Sequence, residues 1–533
     1  MRKVLLTALA LCTMGIASAQ MNGNQARVYA YGLEQAEETG TVTTYTLTFK
    51  TNTAATEASV NLKDANGDVK YTVPAVKTDD AGKAWEAVVD VYELNKLGKE
   101  VLAGDYTWEA TVSAEKIDAF TEIMTPYQPY RTFGLAVNTN PETDNFGTVY
   151  MTHQYAVSGR MANGIYAYNP LLVQTNYKSF DFIGDGGTAG SGSSPRDMNI
   201  AEDGRLFVTN YEKAKSNVYW IAPDLNSSGA LFGGTLDSST GKHTDANGDY
   251  ISGLCSGIAI RGGGENAQLY VTDHSKGEAA KAYVMRYDIG DATTWTKAAD
   301  WELNSFVSKN SEQESKLANG AKYSYHAMEV TKNGFWVAAF RGTPTEEFPD
   351  LFYYNEVTGN RDFISIDITT ENTVSHVQNS IGLAVNERLG LLAYTVHING
   401  VETKVYARVL SFKEVNDKMT VSYVADYDMS GTLTKKADAL AFDYAGNLYA
   451  VTSGNERFTA YALPIADNTC TTPAKASFKV KVTNEDILTG VEDIAVDANA
   501  PVEYYNLQGV KVENPSNGIF IKKQGTKATK VVL

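Results

Sequence analysis

The six histidines, His153, His243, His274, His326, His376 and His397, stand singly along the chain, and none recurs at His-x-x-x-His or His-Glu-x-x-His spacing. A zinc hydrolase written on one helix needs two ligands one turn apart, so that chemistry is excluded, while a site assembled from distant segments stays open. No Gly-x-Ser-x-Gly elbow activates a serine and no Walker loop cradles a phosphate. Gly262-Gly263-Gly264 precedes an apolar strand-like run instead of opening a helix, so it reads as a turn. Asp64-x-Asn66-x-Asp68 and Asp245-x-Asn247-x-Asp249 place oxygen ligands at alternate positions, as the first half of a calcium loop does. Both lack the glycine at position six, where Val69 and Tyr250 stand, and the glutamate at position twelve, where Ala75 and Ser256 stand. They read as hairpin turns, with calcium at a non-EF site as the alternative; no other cofactor is predicted.

Acidic neighbours such as Asp79-Asp80, Glu202-Asp203 and Glu346-Glu347 read as solvated turns, because a glycosidase needs two carboxylates at a spatial separation that sequence spacing does not supply. The 32 tyrosines could stack on sugars, but most fall in strand-like runs, where tyrosine is favoured anyway. Any chemistry must therefore be positioned by strands. Residues from about 40 to 114 alternate apolar and polar, as in Tyr45-Thr46-Leu47-Thr48-Phe49, with Asn66-Gly67 between two such runs. Further runs at Trp85 to Val89 and Tyr106 to Val112 predict an immunoglobulin-like β-sandwich over 22–114.

From about 130 the chain repeats itself. Six segments share a small residue, apolar-leaning positions, a turn with Gly or Asp, and a Tyr/Phe/Val-rich run ending in a polar residue. Gly134-Leu135-Ala136-Val137 to Thr152, Asp197-Met198-Asn199-Ile200 to Thr209, and Gly257-Ile258-Ala259-Ile260 to Thr272 are the first three. Ala327-Met328-Glu329-Val330 to Ala338, Gly382-Leu383-Ala384-Val385 to Thr395, and Ala439-Leu440-Ala441-Phe442 to Val451 complete the set. Their anchors, Val137, Ile200, Ile260, Val330, Val385 and Phe442, are 55 to 70 residues apart. Repeats of this length without helical periodicity predict a six-bladed β-propeller over 130–482, whose closure removes exposed sheet edges. The longest spacing places a loop insertion at 291–325, between the third and fourth blades. The fold class is all-β.

Segments such as Asp438-Ala439-Leu440-Ala441-Phe442-Asp443-Tyr444-Ala445-Gly446-Asn447-Leu448-Tyr449-Ala450-Val451 resemble the NHL-type propeller repeat. Ala103-Gly104-Asp105-Tyr106-Thr107-Trp108 with Asp64-Ala65-Asn66-Gly67 resembles an immunoglobulin-like module of the flagellar-hook-cap type. Tyr504-Tyr505-Asn506-Leu507-Gln508-Gly509, Asn517-Gly518-Ile519-Phe520-Ile521 and the spacing of Lys527 and Lys530 resemble the C-terminal sorting domain of the type IX (Por) secretion system of Bacteroidetes, over 486–533. That resemblance implies a type IX machinery partner, passage through the outer membrane, and removal of the tail with anchoring or release.

The start agrees with export. Met1-Arg2-Lys3, the apolar run Val4 to Ile16 and Ala17-Ser18-Ala19 have the three regions of a signal peptide, 1–19, cleaved before Gln20. No later run approaches the roughly 20 apolar residues of a transmembrane helix. The chain is therefore expected to be secreted or displayed at the cell surface. Its net charge of −17, from 46 basic and 63 acidic residues, excludes a broad basic footprint for nucleic acid. Cys255 and Cys470, the cysteines left after the signal, read as buried free thiols, with one disulfide as the alternative.

Within a blade the first and second strands run antiparallel, so first-strand starts and second-strand ends share one face of the ring. Four residues before the anchors stand Arg196, Ser256, His326 and Asp438, with Arg131 nearby. Second strands end at His153, Asn210, Asp273-His274, Arg341, His397 and Ser453. Arg131, His153, Arg196, Asn210, Asp273, His274, His326, Arg341, His397 and Asp438 are thus the predicted ligand-binding ring, with Arg196 and Arg341 offering bidentate contacts. The alternative is that these positions are polar because the channel mouth is wet. Two functions are compatible: binding of a glycan or protein ligand on this face, or a polysaccharide lyase or glycoside hydrolase there, with His326 as the proton-transfer group.

Overall fold

A computed structural model describes residues 27–96 (without 41), 102–115, 132–154, 161–183, 194–276, 283–290, 294–302, 324–340, 351–363, 382–397, 405–429, 438–452, 457–461, 468–488 and 500–533 (without 526). The expected signal peptide, Arg131 and Arg341 lie outside these residues. The chain is all-β and its larger part is a propeller. Blade 1 holds Leu135–Val137, Val149–His153, Gly164–Tyr168 and Gln174–Lys178, paired in that order. Blades 2 to 5 repeat the four-stranded antiparallel meander, beginning at Met198–Ile200, Cys255–Arg261, Ser324–Val330 and Leu383–Asn386. Blade 6 shows Asp438–Phe442, Leu448–Thr452 and Arg457–Tyr461.

Every seam between neighbouring blades has its own apolar core. Blades 1 and 2 meet through Tyr150, Ile165, Leu206 and Val208, and blades 3 and 4 through Tyr270, Val284, Phe335 and Val337. Met151, Tyr168, Tyr449 and Phe458 join blade 6 back to blade 1, and their inner strands touch, so the ring is closed. Convergence of inner strands explains the small residues of the repeats. A Cβ on Gly134 would stand 2.9 Å from Met198 N, and one on Gly382 would stand 2.8 Å from Leu440 Cγ.

In four of the six blades a threonine near the end of the second strand is structural. Thr152 Oγ1 accepts from Gly134 N at 2.9 Å and donates to the Arg196 carbonyl of the next blade at 3.2 Å. Thr209 Oγ1 likewise accepts from Asp197 N at 3.0 Å and donates to Ser256 O at 3.2 Å. Thr272 and Thr395 accept from Gly257 N and Gly382 N. One buried hydroxyl therefore ties its own inner strand to the following one. Thr209→Val, nearly isosteric, should lower stability by about 2 kcal/mol in urea unfolding, because a buried N–H and C=O both lose their partner, whereas Thr209→Ser should recover most of it.

The structure departs from two expectations. The segment 291–325 is not all insertion: Trp295–Glu302 is the fourth strand of blade 3. Its run Trp-Thr-Lys-Ala-Ala-Asp-Trp-Glu conceals the alternation because an outer strand meets solvent. The described insertion instead lies between blades 2 and 3, as a three-stranded sheet of Thr235–Asp237, Lys242–Thr244 and Tyr250–Ser252. The chain also leaves the ring before 482. Asn468–Pro473 and Lys479–Val482 pair with Gly104–Ala114 and complete the sandwich, where Val480 and Val482 enter the core beside Trp108.

The sandwich faces are Ala30–Glu38, Thr44–Thr51, Ala84–Asp90 and Val76–Lys77 against Glu57–Lys63, Val69–Pro74, Gly104–Ala114 and the returning strands. It docks on blades 1 and 6 through Tyr29, Tyr31, Phe146, Ala445 and Cys470. Phe146 and Ala445 belong to loops at the far ends of the inner strands, so the sandwich occupies the face opposite the first-strand starts. Cys255 and Cys470 are buried and unbonded to each other. The tail forms a four-stranded sheet of Val502–Tyr505, Lys511–Val512, Ile519–Gln524 and Lys527–Val532, none of whose described residues is buried. Among the described residues no helix is long and apolar enough to cross a membrane.

Candidate functional site

Strand geometry stacks the inner strands in rows around the axis. One row reads Gly134, Asp197, Gly257, Ala327, Gly382, Ala439, and another Ala136, Asn199, Ala259, Glu329, Ala384, Ala441. Three polar side chains thus interrupt rows otherwise kept small by close strand approach. Between these rows, Leu135, Met198, Ile258, Met328, Leu383 and Leu440 make an apolar ring. All six of that ring, with Asp197, Glu329 and the mouth residues Phe133, Arg196 and Ser256, line one recess on the axis.

At the mouth the guanidinium of Arg196 lies 4.4 Å from the centre of the Phe133 ring and 4.9 Å from that of Tyr211. The side chain is only 9% exposed, so two aromatic faces fix the orientation of a largely desolvated cation. His274 Nε2 is 2.7 Å from Ser256 Oγ, whose other neighbour is Thr272 Oγ1 at 2.9 Å. Burial, followed by the charge of Arg196, lowers the His274 pKa to about 4, so its imidazole is neutral at physiological pH.

Deeper in, Asp197 accepts from Met198 N at 2.9 Å and from Ile258 N of blade 3 at 3.2 Å. Burial raises its pKa to about 7, against the lowering influence of those N–H groups and Arg196. Glu329 is raised well above the ordinary carboxylate value, first by burial and then by the charge of Asp197. Its Oε2 accepts from Asn199 Nδ2 at 3.3 Å, a bond that spans from blade 2 to blade 4. Asp197, raised to about 7, can give and take a proton near neutrality, while Glu329 in the same recess favours its protonated form. Among the described residues no three His, Cys, Asp or Glu side chains converge as a metal site.

The predicted ring is brought together only in part. Arg196 and His274 meet at the mouth with Ser256. His153, Asn210 and Asp273 are fully buried and outside the recess lining. His153 Nδ1 bonds the Ala162 carbonyl at 3.1 Å, and Asn210 Nδ2 donates to Phe182 O at 2.7 Å. Asp273 accepts from Tyr250 OH, Gly253 N and Ser275 N, which pins the inserted sheet to blade 3. The physical reason is shared: a second-strand end must satisfy the backbone of the loops that leave it. His326 sits at a bulge between Tyr325 and Ala327, and His397 and Asp438 lie in their strands; the side chains of all three are outside the described residues. Asp197, Asn199 and Glu329 are missing from the predicted ring, although aligning the six repeats exposes them as breaks in Gly/Ala columns.

The two calcium-like loops are turns. Asp64 Oδ1 accepts from Asn66 N and Asp68 N, and Asp245 Oδ1 from Asn247 N and Asp249 N. Gly67 and Gly248 take φ of +84° and +85°, the left-handed conformation each hairpin requires.

No family model and no curated protein matches the chain. Solved structures similar to it include the calcium-binding protein regucalcin of Agrobacterium tumefaciens, at 9% identity and a TM-score of 0.34 over 65% of this chain and 95% of that one. Drosophila semaphorin 1a shares 11% identity at a TM-score of 0.33, over 66% and 88%. A neuraminidase-like protein of a bat influenza virus shares 10% at 0.32, over 70% and 95%. At these scores the likeness adds nothing to the function, and the propeller assignment stands on strand order and ring closure.

Proposed function

We propose that this chain is an exported propeller protein that binds a glycan or protein ligand at the mouth of its central channel, on the face away from the sandwich. The observation that carries this reading is Arg196, a buried guanidinium held between Phe133 and Tyr211 at the rim of an open recess. A preorganised cation loses little freedom on pairing, and bidentate pairing adds direction. Titrating the mature chain with a panel of plant, host and bacterial polysaccharides tests it. At least one should bind, and Arg196→Ala should weaken that binding at least tenfold; equal affinity in the variant overturns the assignment to this face.

A second reading is favoured by Asp197 and Glu329, whose shared recess suits acid–base chemistry: a polysaccharide lyase or glycoside hydrolase. Reducing-end release or unsaturated-uronate absorbance in the same panel, lost in Glu329→Gln with binding retained, supports the enzyme.

The signal-like start and the sorting-like tail support secretion or surface display through type IX machinery. Deleting 486–533 should strand the protein inside the cell envelope, as read by fractionation; equal surface delivery of the truncated chain removes that role.

A further inference from the structure

Every seam but one in the ring lies between blades that follow one another in the chain; where blade 6 meets blade 1 there is no such tether. Among the described residues no strand crosses that seam either: blade 1 takes its strands from 135–178 and blade 6 from 438–461. Its direct hold is the packing of Met151 and Tyr168 on Tyr449 and Phe458, with the Tyr449 hydroxyl donating to Pro170 O at 2.8 Å. Elsewhere a connecting segment already limits how far two blades can part, so this seam has the most to gain from an outside support.

The sandwich grips both of its sides. Gly104–Ala114, the strand before blade 1, and Asn468–Pro473, the strand after blade 6, are paired, with Asn468 opposite Ala114. The Thr111 and Thr471 hydroxyls are 2.9 Å apart, as are those of Ser113 and Thr469. Tyr29 lies 5.6 Å from Phe146 of blade 1 and 6.3 Å from Tyr444 of blade 6, and those two rings meet edge to face at 5.4 Å. Arg27 N donates to Ala445 O of blade 6 at 3.1 Å, and Arg27 O accepts from Asn447 Nδ2 at 3.2 Å. On the blade 1 side, Ala476 N donates to Glu142 Oε2 at 3.3 Å and Lys475 pairs with Asp144. We propose that the sandwich is the clasp of the propeller: the pairing of Asn468–Pro473 with Gly104–Ala114 stands in for the missing tether, and its release opens the ring first between blades 6 and 1. Leu135 and Leu440, from the two blades of that seam, both line the axial recess, so the clasp also keeps the recess in shape.

Amide hydrogen exchange of the full mature chain, read by mass spectrometry, tests the clasp from two directions. Trp108 O accepts from Ala474 N at 3.1 Å, so by the antiparallel alternation Thr472 N faces Ala110 as a ladder donor, while Ser113 and Thr469 form a non-hydrogen-bonded pair with closely set side chains. Thr472→Pro removes the donor. Exchange in Val149–His153 and Leu448–Thr452, the second strands flanking the seam, should quicken at least tenfold, while Ala267–Asp273 and Gly334–Phe340 in blades 3 and 4 stay within about twofold of the parent. Ser113→Cys with Thr469→Cys bridges the same pair, and its oxidised form should slow exchange at the two seam strands at least tenfold relative to its reduced form. The bridge decides alone if the proline variant does not fold. Unchanged exchange at the seam, equal quickening in all four strands, or equal rates in the oxidised and reduced forms would each overturn the clasp.

Discussion

Gly134→Val is expected to unfold the ring at the seam between blades 1 and 2, with a loss of stability of more than about 3 kcal/mol. A Cβ there would meet Met198 N at 2.9 Å, Met198 Cβ at 3.0 Å and Thr152 Cγ2 at 3.0 Å. The first of these is backbone of the next inner strand, and Thr152 carries the hydroxyl that ties the two strands together, so neither neighbour can yield without breaking the seam. Valine adds two further carbons to that contact. Gly233, where a Cβ would find no atom within 4 Å, is the matched control: Gly233→Ala should change stability by less than about 0.5 kcal/mol. Urea unfolding followed by tyrosine and tryptophan fluorescence measures both. A Gly134→Val protein as stable as the parent would mean that inner strands do not approach as closely as the closed ring requires.

The second large effect is a pH dependence set by Asp197. Its pKa is raised from 3.8 to about 7 in the folded chain, so between those values the folded state holds a proton that the unfolded state has released. Stability from this group is therefore greatest below about pH 4, falls as pH rises toward 7, and levels off above it. The loss amounts to on the order of 4 kcal/mol across that window, and the raised Glu329 acts in the same direction. Asp197→Asn removes the titration. Asparagine has one acceptor oxygen, so either Met198 N or Ile258 N loses its partner, a constant cost of about 1 kcal/mol. The variant should be the less stable protein at pH 4.5 and the more stable one at pH 8. Parallel curves for the two proteins would show that Asp197 ionises freely in the recess.

The repeat is legible in the sequence because the second strand of each blade is buried on both sides and carries a dense Tyr, Phe, Leu and Val signal, as in Leu206–Asn210, where all five residues are buried. Outer strands face solvent and lose that signal, which is why Trp295–Glu302 reads as loop until its pairing is seen. The pairing of Asn468–Pro473 with Gly104–Ala114 joins segments more than 350 residues apart, and register between strands so distant leaves no local trace. At the mouth, counting back from the anchors locates Arg196 and Ser256 because strand register fixes which residues reach the same height. The same count overvalues His153, Asn210 and Asp273, whose polarity serves the loops beside them. Asp197 and Glu329 escape it because a lone carboxylate in an apolar segment looks like any other until six copies are aligned.

A ligand seated at the channel mouth is the central claim, and a crystal structure of the mature chain with its tightest-binding oligosaccharide tests it most directly. The oligosaccharide should lie within hydrogen-bond distance of the Arg196 guanidinium, which is itself held between Phe133 and Tyr211. An oligosaccharide seated on the sandwich, or on the opposite face of the ring beside Phe146 and Tyr444, would contradict it.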